Sequence, residues 1–212
     1  MAEIIWYGHA CFAIRGQDVT VLMDPVPKSS GYDIGNPSAD IVTISHDDHG
    51  HSALDQVAEG YRLINGPGEY EIREVFIDGI QTYHDSERGA KLGRNTVYVV
   101  EIDDLIVCHL GDIGHVLTEQ QTELVSPVDV LLVPAGGGPT ISPSQAAEII
   151  AQVEPGIVIP MQFRTDKGDA EREPVDGFLR EMASAEHETE QRLRVRKSDI
   201  GDSARVVVLE PA

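Results

Sequence analysis

Short apolar runs separated by turn residues fill the first half of the chain. "EIIWYG", "CFAIRG" and "VTVLMD" have the length and composition of β-strands. "DIVTIS" at 40–45 is continuously apolar, the pattern of a strand covered on both faces. Ser52 at a cap, Asp55 three residues on and Gly60 at the end predict a short helix in "SALDQVAEG". "YRLING", "EYEI" and "EVFIDGIQTYH" return to the strand pattern, and "NTVYVVEIDDLIVCHLGD" predicts a hairpin turning at Asp103 and Asp104.

The second half changes period. Thr118 opens "TEQQTELV" with a capping box, and Ser142 followed by Pro143 opens a helix with apolar positions at 146, 147, 149, 150 and 153. "DVLLVPAGGG", "IVIPMQF" and "ARVVVLE" are predicted strands, and "EPVDGFLREMASAE" a helix. Stretches 26–38 and 164–174 carry the least pattern, and the second, charged and glycine-containing, is expected to be a mobile loop. This order predicts two sheets face to face with helices outside, an αββα sandwich spanning 1–212 as a single domain.

Composition narrows the function. Lys and Arg number 16 against 36 Asp and Glu, a net charge of −20. Such a surface repels phosphate backbones and anionic lipid, so nucleic acid and membrane are not expected partners. A small-molecule substrate is the expected partner, and a homo-oligomer stays open. Cys11 and Cys108 sit in apolar runs without a nearby second thiol, as buried reduced cysteines do. No basic leader precedes an apolar segment and no apolar run reaches about 18 residues, so a cytoplasmic location is expected.

The chemistry is concentrated in "SHDDHGHS" at 45–52, directly after a buried strand. A divalent zinc, manganese or iron ion is held by imidazole nitrogens and carboxylate oxygens drawn from several chain segments. His46, Asp47, Asp48, His49 and His51 follow one strand, His84 and Asp85 a second, and Asp112 a third, with Asn95 and the glycines at 136–138 in comparable loops. An isolated His or Asp in such a place is more often a hydrogen-bonded or turn residue, and His115 and His187 keep that reading. Three imidazoles in six residues reverse the balance.

"WYGHACFAI", "TISHDDHGHS", "GPGEYEI", "YHDSERG", "GRNTVYVVEI", "CHLGDIGHVLT", "LLVPAGGG" and "VIPMQF" follow one another as in the metallo-β-lactamase superfamily. The chain most resembles small bacterial metal-dependent hydrolases of the branch that includes the ascorbate-phosphate lactonase, from about residue 4 to about residue 182. The resemblance implies the αββα fold and an H-x-H-x-D-H signature that supplies ligands for two metals. The first and last His of that signature fall on His46 and His51, its second His on Asp48 and its Asp on Gly50. The family's later ligands fall on His84, on the metal-bridging Asp112 and, in place of a final His, on Gln162.

The resemblance therefore implies a first metal on His46, Asp48, His84 and Asp112, and a second site keeping only His51 and Asp112, with a neutral amide at Gln162. At most one tightly held divalent metal is expected, or none if the altered set has lost it. His51 and Asp112 are the candidate catalytic residues. His9, which the family places beside the pocket, His49 and Gln162 are candidates for substrate contact or for support behind the ligands. The implied activity is metal-dependent hydrolysis of a small ester, lactone or phosphoester. The competing expectation is a non-catalytic member that keeps the fold as a binding or interaction module.

Overall fold

The computed structural model describes residues 1–183, 187–201 and 203–212. Strands β1 (Ala2–Gly8), β2 (Cys11–Arg15), β3 (Thr20–Met23), β4 (Ile41–Thr43), β5 (Arg62–Ile64), β6 (Gly68–Ile72), β7 (Val75–Tyr83), β8 (Arg94–Ile102) and β9 (Leu105–His109) lead into α1 (Glu119–Val125). There follow β10 (Val130–Pro134), α2 (Pro143–Val153), β11 (Ile157–Met161), α3 (Asp176–Glu181), β12 (Glu188–Glu190), β13 (Leu193–Val195) and β14 (Arg205–Leu209).

The strands form two sheets, one ordered β13-β1-β2-β3-β4-β5 and the other β12-β14-β11-β10-β9-β8-β7-β6. A single core cluster between them draws residues from Ala2 to Leu209. The strand period explains why the first sheet reads as continuously apolar. Ile4, Trp6, Phe12, Ile14, Val21, Met23 and Ile41 face the other sheet. Their alternating neighbours Ile5, Cys11, Ala13, Leu22 and Val42 pack into a second cluster with Val26, Tyr32, Ile34 and Val57. Segment 26–38 thus supplies an outer layer for the first sheet. Helices α1 and α2 contact β7 and β10 of the second sheet, and α3 packs on α2. The two sheets lie face to face as the αββα expectation has it, with the α-helices over the second sheet and segment 26–38 with the 3₁₀ turn at Leu54–Gln56 over the first.

Local chemistry accounts for most element boundaries. The hairpin between β8 and β9 turns through Asp103 (φ 50°) and Asp104 (φ 64°), both left-handed, as a two-residue type I′ turn requires. Thr118 and Ser142 cap α1 and α2 with reciprocal side-chain bonds to Gln121 and Gln145. The expected helix over 52–60 is only a single 3₁₀ turn at Leu54–Gln56. Its reason is local: the Ser52 hydroxyl donates to the Asp48 carbonyl at 2.7 Å, so it caps nothing, and Ala53 stands at the cap position. Helix α3 covers less than the pattern predicts, and residues 184–186 of that prediction lie outside the described residues. Strands β12 and β13 were not expected from the sequence. Their strand character comes from pairing, β13 antiparallel with β1 and β12 parallel with β14.

Strand direction positions the site. β1 and β3 are both antiparallel to β2, and β4 is parallel to β3, so β1, β3 and β4 end on one edge. In the second sheet β7 and β9 are both antiparallel to β8, and β10 and β11 run parallel with β9. The residues just after these strands are His9, Asp24, Ser45 and His46, His84, Asp112 and Gln162. Two cross-sheet bonds hold the two edges together: Thr96 N–H donates to the Ser45 carbonyl at 2.8 Å, and the Tyr98 hydroxyl donates to the Ile44 carbonyl at 3.0 Å.

Candidate metal centre

Segment 46–51 is not extended. Asp48 N–H donates to the His46 carbonyl and His51 N–H to the Asp48 carbonyl, each at 3.0 Å, and Asp48 Oδ1 accepts from Gly50 N–H at 2.8 Å. These turns bring His46 and His51 to the same side, with ring centroids 4.3 Å apart. They leave Asp47, Asp48 and His49 exposed. Asp48 therefore lies outside both groups of converging donors, because its carboxylate closes the turn. The resemblance puts the signature's second His at Asp48, but with its carboxylate committed to this turn Asp48 stays exposed and apart from the converging donors.

Asp112 is the centre of what remains. It is 4% exposed, yet its carboxylate contacts His51 Nε2 through Oδ1 and His84 Nε2 through Oδ2, each at 3.1 Å. Gln162 Nε2 also donates to Oδ1. Two donor groups share this carboxylate: His46, His84 and Asp112 in one, and His9, His51 and Asp112 in the other. Within each group the donor atoms lie within 4.8 Å of one another.

The "HLGD" loop is built to aim Asp112. Its N–H donates to Asn95 Oδ1 at 2.9 Å, while Asn95 Nδ2 donates to Thr82 Oγ1 and the Leu110 carbonyl. Gly111 sits at φ 58°, and a Cβ there would collide with Asn95 Oδ1 and with Ser45 Cβ, so the position needs glycine on both counts. Asn95 thus holds the backbone of this loop.

Asp24, which the sequence reading missed, performs a similar task for His51. β3 and β4 pair Met23 with Thr43, and Asp24 N–H continues the ladder to the Thr43 carbonyl at 3.0 Å. The buried Asp24 carboxylate then meets His51 Nδ1 at 2.8 Å, Ser45 Oγ at 2.6 Å and Ser45 N–H at 2.7 Å. Its only sequence signal was an Asp at the end of "VTVLMD", the position shared by other site residues. Asp169 was missed too, and among the acids of its loop nothing distinguished it. Its Oδ1 lies 2.7 Å from His9 Nδ1 and its Oδ2 accepts from the Tyr32 hydroxyl at 3.0 Å. The loop expected to be mobile is tied down here, and again by Glu173 N–H on the Gly136 carbonyl at 2.9 Å.

Electrostatics divides the imidazoles. Burial opposes a charge on His51, but Asp112 and Asp24 outweigh it and push the pKa up to about 10. Burial and the neighbouring His51 push His46 down. Burial would raise Asp112 and Asp24, but the charge of His51 holds Asp112 well below, and Asp24 below, the usual carboxylate range. His109, also buried, contacts the Ala10 carbonyl at 2.8 Å and accepts from Gly111 N–H at 3.1 Å, and so serves the fold.

A divalent cation fits these residues. The Nδ1 atoms of His51 and His9 each face a carboxylate, which places their protons there. Both Nε2 atoms then present lone pairs, yet they stand 3.1 Å apart, with Asp112 Oδ1 another 3.1 Å from His51 Nε2. Three electron-rich atoms converge on one point, and only an extra proton or a cation reconciles them. Two donors about 2.0–2.1 Å from a tetrahedral ion stand about 3.3 Å apart, close to what the side chains adopt.

Fold and donor set together define a metallo-β-lactamase-type protein. The chain belongs to the beta-lactamase superfamily domain family, whose match covers residues 3–162. It is 31% identical to a UPF0173 protein of Pyrococcus abyssi over 85% of this chain and 90% of the relative. A UPF0173 metal-dependent hydrolase of Pyrococcus horikoshii is 28% identical over 100% of this chain and 97% of its own. Among solved structures, a Thermotoga maritima protein of the metallo-beta-lactamase superfamily, provisionally described as a Zn-dependent hydrolase, superposes with a TM-score of 0.81. It is 35% identical over 99% of both chains. Among the described residues no helix is long and apolar enough to cross a membrane.

Proposed function

We propose that this chain is a metal-dependent hydrolase of a small ester, lactone or phosphoester. The observation that carries the reading is the shared carboxylate of Asp112, with imidazole nitrogens converging on both of its oxygens. His46, His84 and Asp112 would hold a zinc, manganese or iron ion. Three protein ligands are the number that leaves a zinc ion an open position for chemistry. When bound, the ion polarises a carbonyl or phosphoryl oxygen and lowers the pKa of water toward neutrality.

The chain's own residues do the rest. Gln162 donates to Asp112 and fixes the carboxylate's rotation. Asp24 holds His51 by Nδ1 and so presents Nε2 to the site. With only the ion on His46, His84 and Asp112 bound, His51 Nε2 and Asp112 Oδ1 are left to take or return a proton beside a substrate, a role that a cation held on them would replace. The similarity to relatives named metal-dependent hydrolases supports the reaction class.

The test is to purify the protein, measure its zinc, manganese and iron, and assay p-nitrophenyl acetate, a γ-lactone and bis-p-nitrophenyl phosphate. Hydrolysis of at least one, lost with a chelator and regained with metal, is the expected result. A protein that binds no divalent metal and turns over none of the three is the non-catalytic module instead.

A further inference from the structure

We propose that His9 is a metal ligand, and that with His51 and Asp112 it builds a second divalent-cation site beside the one on His46, His84 and Asp112. This rests on the hydrolase reading and extends it. The sequence-based expectation of at most one tight metal counts Gly50 and Gln162 as lost donors and leaves His9 out of the ligand set.

The backbone of His9 is held in a conformation that histidine rarely adopts. Its φ is +50°, in the left-handed region. Two donors on its carbonyl keep it there: the Trp6 indole at 2.9 Å and Gln162 N–H at 3.2 Å. Such strain persists only where the surroundings over-determine it, and it concentrates at functional sites. The packing beneath is equally constrained, since Tyr32 lies so close under Gly8 that no Cβ could be added there.

The side chain is fixed as firmly. Asp169 takes Nδ1, and the Tyr32 hydroxyl holds Asp169 from behind. This mirrors the other side of the pair, where Asp24 takes Nδ1 of His51 and the Ser45 hydroxyl holds Asp24. A carboxylate behind each imidazole fixes its tautomer and raises its basicity toward a metal. The two Nε2 atoms face each other at 3.1 Å, and Asp112 supplies the third donor.

Gly50 explains why a donor must come from residue 9. A Cβ built on Gly50 would lie 3.7 Å from His9 Nε2 and 3.2 Å from Asp48 Oδ1. A side chain from residue 50 would thus point at the space that the His9 imidazole fills. The donor missing from the 46–51 segment is replaced by one reaching in from the end of β1. The site formed has two nitrogens and a carboxylate oxygen, a set suited to zinc, manganese or iron.

The test is equilibrium dialysis of the full chain against zinc, followed by elemental analysis, on wild type, His9→Asn and His46→Asn. Asn is chosen at position 9 because it tolerates the left-handed backbone. Wild type should hold two equivalents and each variant one, with the remaining equivalent in His9→Asn bound within about two-fold of its wild-type Kd. One equivalent in wild type that His9→Asn leaves in place overturns the inference and spares the hydrolase reading. Two equivalents in His9→Asn, or loss of both from a variant whose circular dichroism is unchanged, also overturns it. No metal in wild type removes both ideas together. Should His9→Asn fail to fold, Asp169→Asn leaves residue 9 untouched. It should weaken one equivalent by about 10–100-fold and spare the other, and unchanged binding of both counts against the proposal.

Discussion

The two sides of Asp112 are supported differently. On the His9–His51 side, every imidazole has a carboxylate on Nδ1, at 2.7 and 2.8 Å, and each carboxylate has a hydroxyl behind it. On the His46–His84 side, His46 Nδ1 meets only the Ser45 hydroxyl at 3.0 Å, and His84 Nδ1 is buried with no hydrogen-bond partner among the described residues. Charge does not divide along the same line. Against burial, Asp112 and Asp24 push His51 up to about 10. On the other side Asp112 outweighs burial and pushes His84 up, while burial pushes His46 down. A carboxylate-backed imidazole is the stronger and more rigid donor. One side is therefore pre-formed, and the other has room to adjust to what binds there.

Asp112 belongs to both sides, so its loss should have the largest effect. Asp112→Ala should abolish divalent-metal binding. It should also destabilise the metal-free protein by about 3–5 kcal/mol, because His84 loses its buried counter-charge and His51 one of its two. Urea melts of the chelator-treated protein measure the second effect. An unchanged midpoint would mean that the site relaxes freely and that neither side is pre-formed.

The next effect separates the sides. Asp24→Asn should weaken zinc by about 10–100-fold, the usual result of removing an orienting carboxylate. Ser45→Ala, read through His46, should cost less than about 10-fold by the same reasoning, although Ser45 also bonds Asp24. Competition against a chromophoric chelator ranks the two variants. If Ser45→Ala proves the worse, the supposed asymmetry between the sides is wrong.

The difference between the sides also explains what the sequence revealed. His46, His51, His84 and Asp112 were legible because metal-binding residue types cluster after strand-like runs, and strand direction puts those ends on one edge. The fold was legible for a similar reason: capping boxes at Thr118 and Ser142 and the turn at Asp103–Asp104 are local signals, and the structure uses each. Asp24 and Asp169 were not legible, because an isolated acid shows its partner only once the chain is folded. Asp169 meets His9 across 160 residues. Strands β12 and β13 were missed for the same physical reason, since distant pairing makes them strands. Asp48 lies apart from the other donors because the turn geometry of 46–51 includes a bond from Gly50 N–H to its carboxylate, which a match to the family signature does not contain.

The smallest expected effect tests that turn. Asp48 and His49 are exposed and stand outside both donor groups, although they lie within the segment richest in ligand-type residues. Asp48→Ala removes the bond from Gly50 N–H and should cost about 0.5–1.5 kcal/mol of stability. His49→Ala touches no hydrogen bond among the described residues and should stay within about 0.5 kcal/mol of wild type. Neither should shift zinc stoichiometry, because the donors at His46 and His51 are fixed by Ser45, Asp24 and Asp112. Urea midpoints and elemental analysis of both variants, run beside wild type, give the answer. Loss of a metal equivalent from Asp48→Ala would show that the carboxylate swings inward when metal binds. The His46–His84 side would then be the adjustable one in a stronger sense, recruiting a fourth ligand that the turn holds in reserve.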